Sequence, residues 1–217
     1  KEDLALTRLE EFLIENHHTC AAILIEPLLQ THNGMQACRP AFLNKVADLA
    51  KKYQIIIISD ERYLSPMRSG RFFVSQYLDH YPDIMILGNS LTNNICPLGT
   101  LIIKDKIKAK IQSSKQYTHG DKINQIACVT ATTTLEILEK SSEENHIQKI
   151  QTVHANRLLQ LNKQPIVKNI RYLGAIGAFE IICEDRSQQT KLIDWFYKNC
   201  IKNKILLNQH TKNICIS

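Results

Sequence analysis

The sequence lacks several features that mark particular classes of protein. Its longest purely aliphatic run is the five residues Ala21–Ile25, followed by the four isoleucines Ile55–Ile58, far below the roughly 20 apolar residues that a membrane span requires. It contains no run of five basic residues, although its net charge is +6. Nucleic-acid-binding proteins usually concentrate Lys and Arg on one face or stripe. We therefore expect neither a membrane protein nor a nucleic-acid-binding protein.

The cysteines also lack the spacing of a disulfide or metal site. Seven cysteines occur among 217 residues, and no two form a C-x-x-C pair. An odd number of cysteines in a chain of this length argues against a disulfide framework. The eight histidines show no helical pair beside a cysteine or carboxylate that would indicate a zinc site. We therefore expect free thiols, no bound metal and a reducing, cytoplasmic location.

The chain has the composition of a globular protein, with 44% hydrophobic and 22% charged residues. Apolar runs alternate with amphipathic stretches along the first 113 residues. The predicted strands are Ala21–Ile25, Ile55–Ile58, Ile84–Leu87 and Leu101–Ile103, and the predicted helices cover 4–14, 40–53, 72–78 and 105–113. Strands that alternate with helices predict an α/β fold with a mainly parallel sheet flanked by helices.

The pattern changes in the second half of the chain. Two helices are predicted at 124–139 and 143–161, and a third at 190–201. Strand-like segments are predicted at 167–172, at 205–207 and at 214–216. A further strand is predicted after Gly174–Gly177 and ends at Ile182. This arrangement predicts a large domain over residues 1–141 and a small C-terminal α+β domain over residues 142–217.

Polar residues follow three of the predicted strands. Glu26 ends the first, Asp60 and Glu61 end the second, and Asn89 follows the third. Parallel sheets bind ligands outside the carboxyl ends of their strands, so these residues predict a shared cleft. The alternative is that polar side chains simply terminate the strands.

Several stretches, in order along nearly the whole chain, resemble the class-III aminotransferases, which use pyridoxal 5'-phosphate. The matching stretches are Ala21–Leu28, Asp60-Glu61 with Arg68–Gly70, Pro82–Thr92, His119-Gly120, Ala127-Cys128 with Leu135–Leu138, and Arg171–Gly177. The last of these is most similar to the branch that acts in biotin formation. The resemblance implies part of a fold-type I transferase large domain, a small C-terminal domain, and a homodimer acting on small molecules.

The resemblance assigns family roles to particular positions. Asp60 matches the carboxylate that holds the ring nitrogen of the cofactor, whereas Arg62 replaces an aliphatic residue that packs on the ring. Asn89 stands at the position of the lysine that forms the Schiff base. Lys122 matches a threonine that contacts the cofactor phosphate, and Asn208 matches an arginine that binds a substrate carboxylate.

Two functional hypotheses follow. The branch moves an amino group from S-adenosylmethionine to 8-amino-7-oxononanoate, and we expect this chain to be impaired because an amide at Asn89 forms no imine and shuttles no proton. Covalent cofactor binding is therefore not expected. The family has a substantial segment before the point that matches Lys1, so we expect this chain to be N-terminally incomplete. The alternative is a non-catalytic binding or assembly protein that pairs with a chain supplying that segment.

Overall fold

A computed structural model describes residues 1–31, 34–113, 124–141, 143–209 and 213–216. In chain order its elements are α1 (Glu2–Asn16), β1 (Ala22–Ile25), β2 (Leu29–Gln30), β3 (Gln36–Ala37), α2 (Pro40–Lys52), β4 (Ile56–Asp60), β5 (Ile84–Leu87), β6 (Thr100–Ile103), α3 (Asp105–Ser113), α4 (Gln125–Lys140), α5 (Glu143–Leu161), β7 (Val167–Leu173), β8 (Ile176–Ile181), α6 (Arg186–Lys202), β9 (Asn208–Gln209) and β10 (Asn213–Ile216). Short 3-10 helices cover His17–Thr19, Val74–Tyr77 and Asn89–Thr92.

The chain divides into two compact units. Unit 1 comprises Lys1–Leu28, Cys38–Pro66 and Arg71–Ser142, and unit 2 comprises Leu29–Ala37, Met67–Gly70 and Glu143–Ser217. The domain boundary predicted between residues 141 and 142 stays a prediction.

A four-stranded sheet forms the centre of unit 1, in the order β1-β4-β5-β6. The first three strands are parallel, and β6 runs antiparallel to β5. The α/β prediction is therefore confirmed, with a mixed sheet. The antiparallel strand has a local cause: the connection from β5 to β6 contains the 3-10 helix Asn89–Thr92 and no crossover α-helix, and parallel strands need such a crossover.

Two helices cover one face of this sheet. Pro40 begins α2, where its fixed φ suits the first helical position and no amide donor is missed. Leu13 of α1, Ala50 of α2 and Ile55 before β4 are buried together. Burying a Leu or Ile side chain contributes about 1.5–3 kcal/mol to the stability of the fold. This packing fixes the positions of β1 and β4, which end at the predicted cleft.

Unit 2 contains an antiparallel sheet in the order β7-β8-β10-β9. Its core includes Leu158 of α5, Phe179 of β8 and Ile193 of α6. The strand expected at 205–207 is wrong, because β9 begins at Asn208. The backbone N–H of Ile205 instead donates to Cys200 as the chain leaves α6, and Leu206 is 89% exposed.

Three negative findings apply to the part of the chain that the structure describes. None of its helices has the length and apolarity to cross a membrane. The six cysteines whose side chains are described are free. Over the same residues, no group of three or more His, Cys, Asp or Glu side chains is placed to hold a metal ion.

Candidate active site

The predicted cleft residues lie at one edge of the sheet in unit 1. Glu26 directly follows β1, Asp60 is the last residue of β4, and Asn89 follows β5 after Gly88. Because these three strands are adjacent and parallel, their carboxyl ends meet at the same edge. These three positions therefore lie at the same edge of the sheet, and a shared cleft stays a prediction.

The carboxylate of Asp60 is engaged by Arg62, two residues further along the chain. Arg62 Nε donates to Asp60 Oδ1 at 2.9 Å and to Oδ2 at 3.1 Å, and Nη2 donates to Oδ2 at 2.6 Å. The backbone N–H of Arg62 also donates to Oδ1 at 3.2 Å. Hydrogen bonds to Asp60 raise the pKa of the Arg62 guanidinium, and the charges of Asp60 and Glu26 add to this. Both carboxylate oxygens are thus hydrogen-bonded to a permanent cation.

The stem of Arg62 lies across Gly88 at the end of the neighbouring strand. A Cβ atom built on Gly88 would be 3.2 Å from both Cβ and Cγ of Arg62. Gly88 has an extended backbone that any residue adopts, so the glycine supplies space here and not backbone freedom. Ser90 Oγ donates to the backbone oxygen of Arg62 at 3.4 Å and to that of Ser65 at 2.5 Å.

Glu61 does not belong to the cleft, although it is adjacent to Asp60 in sequence. Its side chain is fully buried. It accepts hydrogen bonds from the hydroxyl groups of Ser59 at 3.1 Å and Ser65 at 2.6 Å. It also accepts the backbone N–H groups of Val74 at 2.8 Å and Ser75 at 3.1 Å. This carboxylate therefore fixes the loop after β4 and is turned away from ligands.

Asn89 is exposed and organises the turn that follows β5. Its side-chain oxygen accepts the backbone N–H of Leu98 at 2.8 Å. Its backbone oxygen accepts from Thr92 Oγ1 and from the backbone N–H of Asn94, both at 2.9 Å. The amide at this position thus serves the β5–β6 connection.

The structure does not describe the side chains of the two remaining predicted site residues. Lys122 lies outside the described residues. Asn208 lies in β9, where it is paired with Cys215 of β10, and its side chain is outside the description. The roles predicted for both residues stay predictions.

Sequence reasoning missed a cavity of about 680 Å³ on the α2 side of the unit 1 sheet. Leu43 and Ile57 contribute to its apolar wall, and Asp83, Lys104 and Lys106 line it as well. Asp60, Arg62 and Asn89 do not line it. The ion-paired side chains of Asp60 and Arg62 lie at the strand ends and not in this cavity. The candidate active site is therefore at the strand ends.

The described residues do not fit a covalently held pyridoxal phosphate. An imine requires a primary amine, whereas Asn89 offers an amide whose oxygen is bonded to Leu98. A ring nitrogen would need a carboxylate acceptor, and both oxygens of Asp60 accept hydrogen bonds from Arg62. Asn89 and Asp60 are instead hydrogen-bonded to groups of the chain itself.

A profile of the class-III aminotransferases matches residues 1–214. Adenosylmethionine-8-amino-7-oxononanoate aminotransferase of Staphylococcus aureus is 29% identical over 212 residues, which is 93% of this chain and 47% of the relative. The enzyme of the same name from Buchnera aphidicola subsp. Schizaphis graminum is 33% identical over 164 residues, covering 74% of this chain and 38% of the relative. The chain spans about half the length, or less, of these curated relatives.

Solved transaminase structures share the fold. An omega-transaminase from Thermomicrobium roseum matches with a TM-score of 0.87 and 22% identity, over 100% of this chain and 51% of its own. Ornithine delta-aminotransferase of Plasmodium falciparum matches with a TM-score of 0.85 and 21% identity, over 98% of this chain and 54% of its own. This likeness shows the fold, and the match of the family profile to residues 1–214 shows that the chain belongs to the class-III aminotransferases.

Proposed function

We propose that this chain is a relative of adenosylmethionine-8-amino-7-oxononanoate aminotransferase that keeps the scaffold but not the covalent imine chemistry. Curated relatives of that name match most of the chain, which supports the amino donor and acceptor of that enzyme as its ancestral substrates. Pyridoxal phosphate as cofactor, a homodimer and a cytoplasmic location come from the same resemblance and are part of the proposal.

The observation that carries the proposal is the side chain at Asn89. In a transaminase a lysine at this position both holds the cofactor and moves a proton between two carbon atoms. A carboxamide does neither reaction, because it is not basic and its nitrogen is not nucleophilic. Asn89 is moreover used as an acceptor for Leu98 N–H. The proposal is therefore that transamination through this position is lost.

Reduction with borohydride tests the covalent step directly. The purified chain is incubated with one equivalent of pyridoxal phosphate, its visible imine absorbance is recorded, and it is then reduced and examined by intact mass and peptide mapping. We expect no stoichiometric adduct, and no amino transfer between S-adenosylmethionine and 8-amino-7-oxononanoate. The Staphylococcus aureus relative, treated in parallel, is the positive control. One adduct per chain at a single lysine would overturn the proposal.

A second candidate function, a non-catalytic assembly role, is favoured by one apolar sheet face. Leu24, Ile58, Ile84 and Ile103 form a row across the four strands of unit 1, as their backbone pairing shows. Ile86 and Leu101 continue this face beside Asp60. We call these six apolar residues the open face. None of them is buried, and Leu24 and Leu101 are 64% and 56% exposed.

We infer that the occupant of the open face is a polypeptide equivalent to the part of the curated relatives that this chain does not match. The chain accounts for 47% of the length of the Staphylococcus aureus relative, and a polypeptide like the unmatched part of that relative is the occupant that we propose. Contiguous exposed apolar surfaces of proteins often mark interaction sites. This assembly role requires no chemistry at Asn89.

Co-expression tests the assembly role. This chain is produced with the unmatched part of the Staphylococcus aureus relative, and complexes are measured by size exclusion with light scattering. We expect a one-to-one complex that is lost in Leu24→Lys/Leu101→Lys. The matched control is Ile201→Lys/Leu206→Lys, two exposed apolar positions of unit 2, which should retain the complex. A folded chain that forms no complex, or equal binding by both pairs, would contradict this role.

A further inference from the structure

The pairing of Arg62 with Asp60 has the geometry of a strong, specific ion pair. Two guanidinium nitrogens contact the two carboxylate oxygens at 2.6–3.1 Å. Bidentate arginine–carboxylate pairs are the strongest of the charge-assisted hydrogen bonds between side chains. The Asp60 side chain is 10% exposed and that of Arg62 is 55% exposed, so the carboxylate is shielded from water while the guanidinium remains partly in solvent.

Neighbouring groups hold the arginine in this position. The methylene stem lies over Gly88, where an added Cβ atom would be in tight contact with it at 3.2 Å. Ser90 Oγ and the Asp60 carboxylate both bind the backbone of Arg62, at its oxygen and its N–H respectively. The arginine is therefore placed from three sides: by its partner carboxylate, by the glycine at the next strand end and by the turn after β5.

We propose that Arg62 is the residue that decides which ligand the Asp60 carboxylate accepts: its guanidinium takes the place that a protonated aromatic ring nitrogen would need. This inference rests on the proposed function, because it concerns the same cleft, but it depends on Arg62 and not on Asn89. Both the guanidinium and a ring N–H⁺ are cationic donors, and they compete for the same two oxygens. The bidentate, covalently tethered donor has the advantage over a free ligand.

Binding of pyridoxamine phosphate tests this proposal without any imine, because the ligand carries its own amine. Its dissociation constant is measured by calorimetry for wild type and Arg62→Met, which keeps an unbranched stem without charge. We expect Arg62→Met to bind about tenfold tighter or more, which is the scale of one charged hydrogen bond. Arg39→Met is the matched control, since it breaks another arginine–carboxylate pair, with Glu2, and should leave binding unchanged.

An analogue with carbon in place of the ring nitrogen identifies the contact. The gain in affinity that Arg62→Met shows for pyridoxamine phosphate should disappear with this analogue. It should also disappear in the double variant Arg62→Met/Asp60→Asn. Circular dichroism checks the folding of each variant, and Arg62→Gln should show the same gain if the Met variant unfolds. Equal affinity of wild type and the Arg62 variants, or an equal gain with the analogue, would overturn the proposal.

Imine formation separates this proposal from the one built on Asn89. We expect Asn89→Lys alone to give no imine absorbance with pyridoxal phosphate, and Asn89→Lys/Arg62→Met to give it. Full imine formation in the single variant would overturn the role of Arg62 while leaving the loss at Asn89 intact. A covalent adduct in the wild type would overturn the proposed function and leave the affinity comparison unaffected.

Discussion

The side-chain oxygen of Asn89 accepts the backbone N–H of Leu98 at 2.8 Å, so this residue ties together the two ends of the β5–β6 connection. A lysine has no acceptor atom, so a lysine at this position could not accept the Leu98 N–H. The Asn89 amide is thus a structural element of this chain.

Replacing Asn89 by Ala should weaken the turn. We expect the free energy of unfolding to fall by about 0.5–1.5 kcal/mol, and the Leu98 amide proton to exchange faster with solvent. Asn89→Asp keeps an acceptor oxygen and should preserve the protection of that proton. Urea unfolding and amide exchange by NMR measure the two effects. Unchanged exchange at Leu98 in Asn89→Ala would show that the bond does not persist in solution.

Adding a methyl group at Gly88 should displace Arg62. The new Cβ would lie 3.2 Å from two stem carbons of Arg62, and a flexible side chain moves more readily than the extended strand end. We expect stability to change by less than about 1 kcal/mol, while the Nε–H proton of Arg62 loses its protection from exchange. Gly99→Ala is the matched control, because a Cβ atom there meets no neighbour within 4 Å.

Removing the Glu61 carboxylate should be much more costly. Four donors converge on this fully buried group, and Glu61→Ala leaves buried N–H groups without an acceptor. We expect a loss of about 3 kcal/mol or more from the free energy of unfolding, measured by urea denaturation. Glu11→Ala, at an exposed position of α1, should change it by less than about 0.5 kcal/mol. Equal effects of the two substitutions would contradict this account.

Many of the helices and strands could be predicted from the local pattern of apolar and polar residues. The strand Ile84–Leu87 and the helices at 105–113 and 143–161 agree with the structure at both ends, because apolar runs and amphipathic periodicity are properties of neighbouring residues. The antiparallel course of β6 was not predicted, since strand direction depends on the connection and not on the strand's own residues. The strand expected at 205–207 failed because its apolar residues form the exit from α6.

The candidate site was only partly readable from sequence. The convergence of Glu26, Asp60 and Asn89 followed from the rule that ligand sites occur at parallel strand ends. The burial of Glu61 did not, because it depends on hydrogen bonds from Ser65, Val74 and Ser75, which come later in the chain. The pairing of Arg62 with Asp60 needed the position of Gly88 on the next strand, which is a non-local fact.

Asp83 joins three parts of unit 1. Its Oδ2 accepts Ile57 N–H of β4 at 3.0 Å, and its Oδ1 is 2.8 Å from Lys106 Nζ and 3.3 Å from Lys104 Nζ. Its own backbone N–H donates to Ile57 and its oxygen accepts Lys104 N–H. Burial on its own would raise the pKa of Asp83, but the bonds from Lys106 and Ile57 and the charge of Lys104 lower the pKa below its usual range.

This pKa shift predicts how stability depends on pH. An unfolded Asp has a pKa of about 3.9, so the unfolded chain binds the proton more readily than the folded one. The stabilisation by Asp83 is therefore fully present above that pKa and is lost as the pH falls through the lower folded value. We expect Asp83→Asn to be less stable than wild type by about 1.5–3 kcal/mol at pH 7, and the difference to shrink below about pH 4.

Urea unfolding of wild type and Asp83→Asn, repeated at several pH values between 7 and the acid limit of folding, measures this difference. The matched control is Asp194→Asn, at an exposed position of α6, which should follow the wild-type pH dependence. If the gap between wild type and Asp83→Asn were the same at every pH, the carboxylate charge would not be its source. The loss would then reflect only the geometry of the amide beside Lys104 and Lys106.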